Sequence, residues 1–154
     1  MFMYCQKPKK YTVSLIGHRH VEHHGEIADR LSFVLRDLLK KHPFIEFLIG
    51  RNGEFDEIAA AEIKRQKRVL GEERCCLTLV LPYPVANVRD YEQYYDDIVY
   101  PNDARLHYKR AILKRNEWMV DTCDLLVAYV ENNSGNAYKI CLSAQNKGIP
   151  ILII

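Results

Sequence analysis

Apolar runs and helix-spaced apolar stripes alternate along the whole chain. Thr12 to Ile16 is a short β-rich run that ends at Gly17. Ile27, Leu31, Val34, Leu35, Leu38 and Leu39 then recur at helical spacing, which predicts an amphipathic helix over 26–41, closed by Pro43. Phe44 to Ile49 is a second apolar run, ending at Gly50. Phe55 to Val69 reads as a helix with Phe55, Ile58, Ala59 and Ile63 inward. Its last turns carry Lys64, Arg65, Lys67 and Arg68, a cluster that suits a helix C-terminus and reads as a solvated cap. Cys75 to Leu81 is a third strand, broken by Pro82 and Pro84. Residues 86–104 are polar and tyrosine-rich, a connection so long that it is either functional or carries short structure of its own. A helix over 105–121, a strand over Leu125–Val130, a helix over Ala137–Asn146 and a strand over Pro150–Ile154 complete the pattern.

Strict alternation of this kind implies right-handed βαβ crossovers and a parallel sheet. The strands are nearly continuous apolar runs, so both faces of the sheet are covered. The expected fold is therefore α/β: a Rossmann-like three-layer α/β/α domain over 1–154, with a mainly parallel sheet of about five strands. The composition, 48% hydrophobic and 27% charged, is that of a globular chain. A net charge of +2 does not call for nucleic acid or membrane partners, and direct nucleic-acid binding is not expected. No apolar run reaches the roughly 20 residues of a membrane helix. Met1 to Lys10 is basic but has no apolar segment of the signal-peptide kind after it. Cys5, Cys75, Cys76, Cys123 and Cys141 show no C-x-x-C spacing, and their odd count and apolar neighbours suggest reduced, buried thiols in a cytoplasmic protein.

Open parallel sheets bind ligands outside the carboxyl ends of their strands, where the strand order reverses. Four segments follow strand ends here: Gly17-His18-Arg19-His20, Gly50-Arg51-Asn52-Gly53-Glu54, Pro82-Tyr83-Pro84 and Glu131-Asn132-Asn133-Ser134-Gly135-Asn136. The second and fourth set glycine and small polar residues just before a helix. Glycine lets backbone N–H groups approach a ligand, and a helix N-terminus favours an anion. Neither is a P-loop or a G-x-G-x-x-G fingerprint, so no bound cofactor is expected. Taken singly, such glycines do no more than make tight βα turns; two in one sheet, with a basic loop at the first strand, favour binding.

Arg115 lies in an apolar stripe with Tyr108, Ile112 and Met119. A charge there must find a partner: a ligand phosphate or carboxylate, or a buried acid such as Asp56, Asp121 or Asp124. His18, His20, His23 and His24 crowd one loop without a matching carboxylate or thiolate set beyond Glu22. The favoured reading is a solvated loop with one ligand-facing histidine and no metal. Cys123 and Ser134 have no histidine nearby in sequence to activate them. Glu54 and Asp56 are the best-placed carboxylates; they can bind ribose hydroxyls, cap the helix or act on a glycosidic centre.

Four blocks, in order, resemble the SLOG superfamily, and within it the branch of small bacterial and phage proteins similar to YpsA. Leu15-Ile16-Gly17-His18-Arg19 resembles a first-strand "TGHR" motif. Gly50 to Asp56, with Ala59-Ala60-Ala61-Glu62, resembles "GGALGFD…AAE". Arg115-Asn116-Glu117-Trp118-Met119-Val120-Asp121, with Asp124, resembles "RN.WMVD.SD". Ser134 to Tyr138, followed by Ala144, Gly148 and Pro150, resembles "GGT…A…GKP". The resemblance implies a Rossmann-like fold, a nucleotide-derived ligand and homodimerisation. Some members cleave N-glycosidic bonds, the Lonely Guy phosphoribohydrolases through a "PGGxGTxxE" loop. Here that loop has lost the doubled glycine and the threonine, and Lys139 stands where the acid would be.

Three functions follow as expectations. The first is binding or sensing of a nucleotide or ADP-ribose-like ligand. In it Gly17, Gly50, Gly53 and Gly135 shape the backbone, Arg19, Arg51, Arg115 and Asn136 meet phosphate, and Glu54 or Asp56 meets ribose. His18, Asn52, Pro82, Tyr83, Asn116 and Ser134 complete the candidate ligand set. The second is an N-glycosidase or nucleoside transferase with Glu54 as acid or nucleophile. The third is an interaction scaffold that meets a partner through the tyrosines of 91–100.

Overall fold

A six-stranded, all-parallel sheet runs through the centre of the protein, in a computed structural model that describes residues 10–103 and 105–154. Cys5 and the basic start of the chain lie outside the described residues. The elements are β1 (Tyr11–Gly17), α1 (His24–Lys41), β2 (Ile45–Ile49), α2 (Glu54–Leu70), β3 (Cys75–Val80), α3 (Val88–Tyr94), β4 (Asp97–Val99), α4 (Tyr108–Thr122), β5 (Leu125–Tyr129), α5 (Asn136–Asn146) and β6 (Ile151–Ile153). The strand order is β4-β3-β2-β1-β5-β6. The chain therefore winds outward from β1 to β4, then returns across to β5. The order reverses between β1 and β5, whose pairing sets Gly17 beside Tyr129.

Strand side chains alternate between faces, and the two cores follow that alternation. Val13, Leu15, Phe47, Ile49, Leu77 and Val127 enter one core with Ile27, Leu31 and Leu35 of α1 and Phe55, Ala59 and Ile63 of α2. Ile16, Leu48, Val80, Leu126 and Ala128 enter the other with Met119 and Val120 of α4 and Ala137 and Ala144 of α5. Full burial of each Leu, Ile or Phe contributes roughly 1.5–3 kcal/mol. Two hydrogen bonds pair polar groups within this interior. Ser14 Oγ donates to Met119 O at 2.8 Å, and Asp124 Oδ2 accepts the Thr12 N–H at 2.8 Å, tying the starts of β1 and β5 together. No helix of the described residues is long and apolar enough to cross a membrane.

Two departures from the sequence reading concern the tyrosine-rich stretch. It carries short structure of its own, α3 and β4, and β4 makes a sixth strand at the sheet edge where about five strands were expected. The basic residues of α2 are also more than a solvated cap. Lys64 Nζ donates to Tyr94 O at 2.9 Å and lies 3.7 Å from the Tyr94 ring centre. Lys67, only 12% exposed, pairs with Asp96 at 2.7 Å and Glu72 at 3.3 Å. Asp96 in turn accepts the Leu77 N–H at 2.7 Å, so one carboxylate joins α2 to the edge of the sheet. Lys67→Ala leaves the exposed Asp96 without its cation and removes a largely buried side chain, and the expected loss is about 1 kcal/mol. Urea unfolding measures it; a loss below about 0.5 kcal/mol would mean that the pair adds no more than an exposed one.

Candidate functional site

At the carboxyl end of the sheet, over the reversal between β1 and β5, a cavity of about 470 Å³ opens. The loops that border it come from three separate strand ends. Gly17 ends β1 and His18 and Arg19 follow it, Gly50, Asn52 and Gly53 follow β2, and Gly135 and Asn136 follow β5. Asp56 and Arg115 form its charged side, and Ile112, Met119, Ala137 and Ile140 its apolar wall.

Close packing of backbone on backbone explains why glycine stands at these turns. A Cβ on Gly53 would lie 2.7 Å from the Arg19 Cα, so the β1 and β2 loops can touch only without one. The contact is fixed by Glu54 N–H donating to Arg19 O at 2.9 Å. Gly135 is needed for a different reason. It caps α5 with φ +88°, a conformation that side-chain-bearing residues rarely adopt. No side chain caps α5, and its first residues, Asn136 and Ala137, border the cavity.

The β5–α5 loop is tied back to the β1 loop by His18. Its Nε2 accepts the N–H of Glu131 at 2.8 Å and of Asn132 at 3.4 Å. A ring nitrogen that accepts carries no proton, so the neutral ring bears its proton on Nδ1. The other histidines do not join it. His20 Nδ1 and His24 Nε2 lie 3.2 and 3.3 Å from Glu54 Oε2, which also accepts the Val21 N–H at 2.5 Å. Among the described residues no group of three His, Cys, Asp or Glu is arranged to hold a metal ion.

Arg115 is 7% exposed and is anchored on both ends of its guanidinium. Nη1 donates to Val80 O at 3.1 Å, and Nε donates to Asn116 Oδ1 at 2.9 Å. Asp56 is its acidic neighbour: a Cβ on Gly50 would come within 2.8 Å of Arg115 Nη1 and 3.2 Å of Asp56 Oδ2. The other two acids considered from sequence are elsewhere, Asp121 on Lys147 and Asp124 on Thr12. Burial pushes the Asp56 carboxyl up to about 6, against the pull of Arg115 and of the Asn52 N–H that it accepts at 3.1 Å.

Of the residues singled out from sequence, Gly17, His18, Arg19, Gly50, Asn52, Gly53, Asp56, Arg115, Asn116, Gly135 and Asn136 border this one cavity. Arg51, Glu54, Pro82, Tyr83 and Ser134 do not. The Glu54 carboxylate is held below its ordinary range, first by the Val21 N–H and then by His24 and His20, and it braces the histidine loop. Arg51 turns to α3, where Nη1 donates to Tyr91 Oη at 3.0 Å. Pro82 O accepts from Asn102 Nδ2 at 3.0 Å. Sequence reasoning did not place Ala137 and Ile140 at the site. From the sequence, 137–146 reads only as a helix, with no face of it assigned to the site.

No protein-family model matches the chain, and no curated protein matches it in sequence. Among solved structures it is similar to DNA processing protein A from Streptococcus pneumoniae, with a TM-score of 0.65 at 18% identity. The similarity covers 93% of this chain and 50% of that one, so the chain spans about half the length of the protein that it matches. A likeness at this identity speaks to architecture: the six parallel strands and alternating helices form a Rossmann-like α/β fold.

Proposed function

We propose that the cavity binds a small nucleotide-type anion, a nucleotide or an ADP-ribose-like molecule, and that the protein works as a binding or sensing module for it. One observation carries the reading: three loops far apart in the chain border one cavity that also holds two arginines and the uncapped start of α5. First-turn amides have no acceptor within their helix, and the helix dipole adds partial positive charge there. Together they suit a phosphate. Arg19 and Arg115 add full charges, and Asn52 and Asn136 offer hydrogen bonds to hydroxyls. The apolar wall suits the rest of such a ligand, and the volume falls in the roughly 300–1,000 Å³ range of small-molecule sites. The four sequence blocks that resemble the SLOG superfamily support the same reading.

Thermal unfolding against a nucleotide panel tests it. A ligand at about 100 times its Kd adds about 2.7 kcal/mol to the native state, which raises the unfolding temperature by roughly 5–11 °C at this chain length. Among the described residues the Arg19 side chain makes no hydrogen bond, only its carbonyl does. Arg19→Ala is therefore expected to weaken binding about tenfold, the loss of one charged contact, and to leave the ligand-free protein as stable as before. A panel in which nothing moves the transition sinks the reading. A short single-stranded oligonucleotide belongs in the same panel, to ask whether the DNA connection named for the pneumococcal protein extends to this chain.

One observation favours a second reading, release of a base from a nucleotide. A carboxyl held up to about 6 at a cavity wall is poised to donate a proton near neutral pH. In that reading Asp56, not Glu54, is the acid. Free base appearing from the panel, and disappearing with Asp56→Asn, supports it; its absence leaves binding alone.

A further inference from the structure

Beside the main cavity lies a smaller one of about 130 Å³, in the groove between α4 and α5. Leu113 and Val120 of α4 face Ile140 and Ser143 of α5 across it. Asn116, Asn136 and Ile140 border both cavities. At 130 Å³ the groove falls short of the roughly 300 Å³ of an independent ligand site. It is an extension of its neighbour, sized for one ring system.

We infer that this groove takes the nucleobase of the ligand whose phosphate occupies the main cavity. The inference rests on the nucleotide reading and adds to it which part of the ligand goes where. Three features carry it. Leu113, Val120 and Ile140 give the groove apolar walls on two adjacent helices, with Glu117 and Lys139 also lining it, so a flat ring can slide between the helices. Leu113 is 57% exposed in a helix that otherwise buries Ala111, Arg115, Met119 and Val120, so its apolar surface lacks a cover. Finally, the rim that both cavities share carries two carboxamides beside Ile140, and carboxamides are side chains that pair with base edges. The Asn116 oxygen is already engaged by Arg115 Nε, so its NH2 group is the end left to donate to a ring nitrogen or a base carbonyl. Asn136 is the first residue of α5, so its position spans the phosphate end and the base end of one ligand.

Titration calorimetry with ribose 5-phosphate, AMP, GMP, CMP and UMP separates the parts. At least one nucleotide is expected to bind tenfold or more tightly than ribose 5-phosphate. Leu113→Asp is expected to erase that advantage and leave the ribose 5-phosphate Kd within twofold. Leu113 is exposed, and an unchanged unfolding temperature establishes that the variant is folded. If all four nucleotides merely equal ribose 5-phosphate, the groove is not a base site while the anion site stands. If neither ribose 5-phosphate nor any nucleotide binds, both readings fall. If the advantage survives Leu113→Asp while sedimentation velocity shows a changed oligomer, the groove is a contact between copies of the chain, and the inference is overturned.

Discussion

Gly17→Ala is expected to lower stability by about 3 kcal/mol, at the upper end of the usual cost of overpacking, and the unfolding temperature by roughly 6–12 °C. The reason lies at the junction of β1 and α2. A Cβ at Gly17 would overlap the Phe55 ring and come within 2.7 Å of the Phe55 Cβ. Phe55 is fully buried in the first turn of α2 and stacks on Tyr129, with ring centres 5.9 Å apart. It has no free space to retreat into, so the added methyl must move backbone. The backbone it moves is the same that sets Gly53 against Arg19, and ligand affinity is expected to fall along with stability. Gly25→Ala is the control: nothing lies within 4 Å of a Cβ there, and alanine suits the first turn of α1 at least as well. Thermal unfolding of both variants reads the contrast. A Gly17→Ala protein as stable as Gly25→Ala would mean that the β1–α2 junction is looser than its geometry indicates.

That junction also marks how far the amino-acid sequence alone reaches. Strands such as Phe44–Ile49 and Leu125–Val130 are legible because a central parallel strand is apolar on both faces, and few other structures need such a run. β4 is not legible. It has three residues, Asp97, Ile98 and Val99, sits at the sheet edge and is half solvated, so no period of two can develop. What holds it is tertiary, the Lys67–Asp96 pair and the Asp96 bond to Leu77 N–H. The site divides in the same way. Glycine followed by a helix start is a local signal, and it led to two of the three loops around the cavity; the β1 loop stood out by its basic residues. Which of two carboxylates faces the cavity is not local. Glu54 and Asp56 stand two residues apart, on different sides of one helix. The choice between them is made by the Val21 N–H and two histidines, brought in by a loop thirty or more residues earlier. Arg115 was conspicuous as a charge in an apolar stripe, but its partners, Val80 O and Asn116, belong to no pattern in the sequence.

Asp56 gives the pH dependence that should separate this site from an ordinary charged surface. Its carboxyl is raised from 3.8 to about 6, chiefly by burial. A carboxyl with a higher pKa folded than unfolded binds its proton more tightly in the folded state. Folding therefore takes up a proton between the two values, and stability falls as pH rises from about 4 to 6. Above the folded value the penalty is complete. A shift of this size corresponds to about 3 kcal/mol, of which roughly half develops between pH 5 and 7. Asp56→Asn keeps the shape and an oxygen for the Asn52 N–H but cannot ionise. The stability of the unaltered protein minus that of Asp56→Asn is thus expected to decline by about 1–2 kcal/mol from pH 5 to pH 7, and to be flat above about pH 7.5. Urea unfolding at a series of pH values gives that difference directly, because groups common to both proteins cancel. A difference that rises with pH would show that Arg115 more than offsets the burial of Asp56. The pair would then act as a stabilising ion pair and not as a protonatable wall of the cavity.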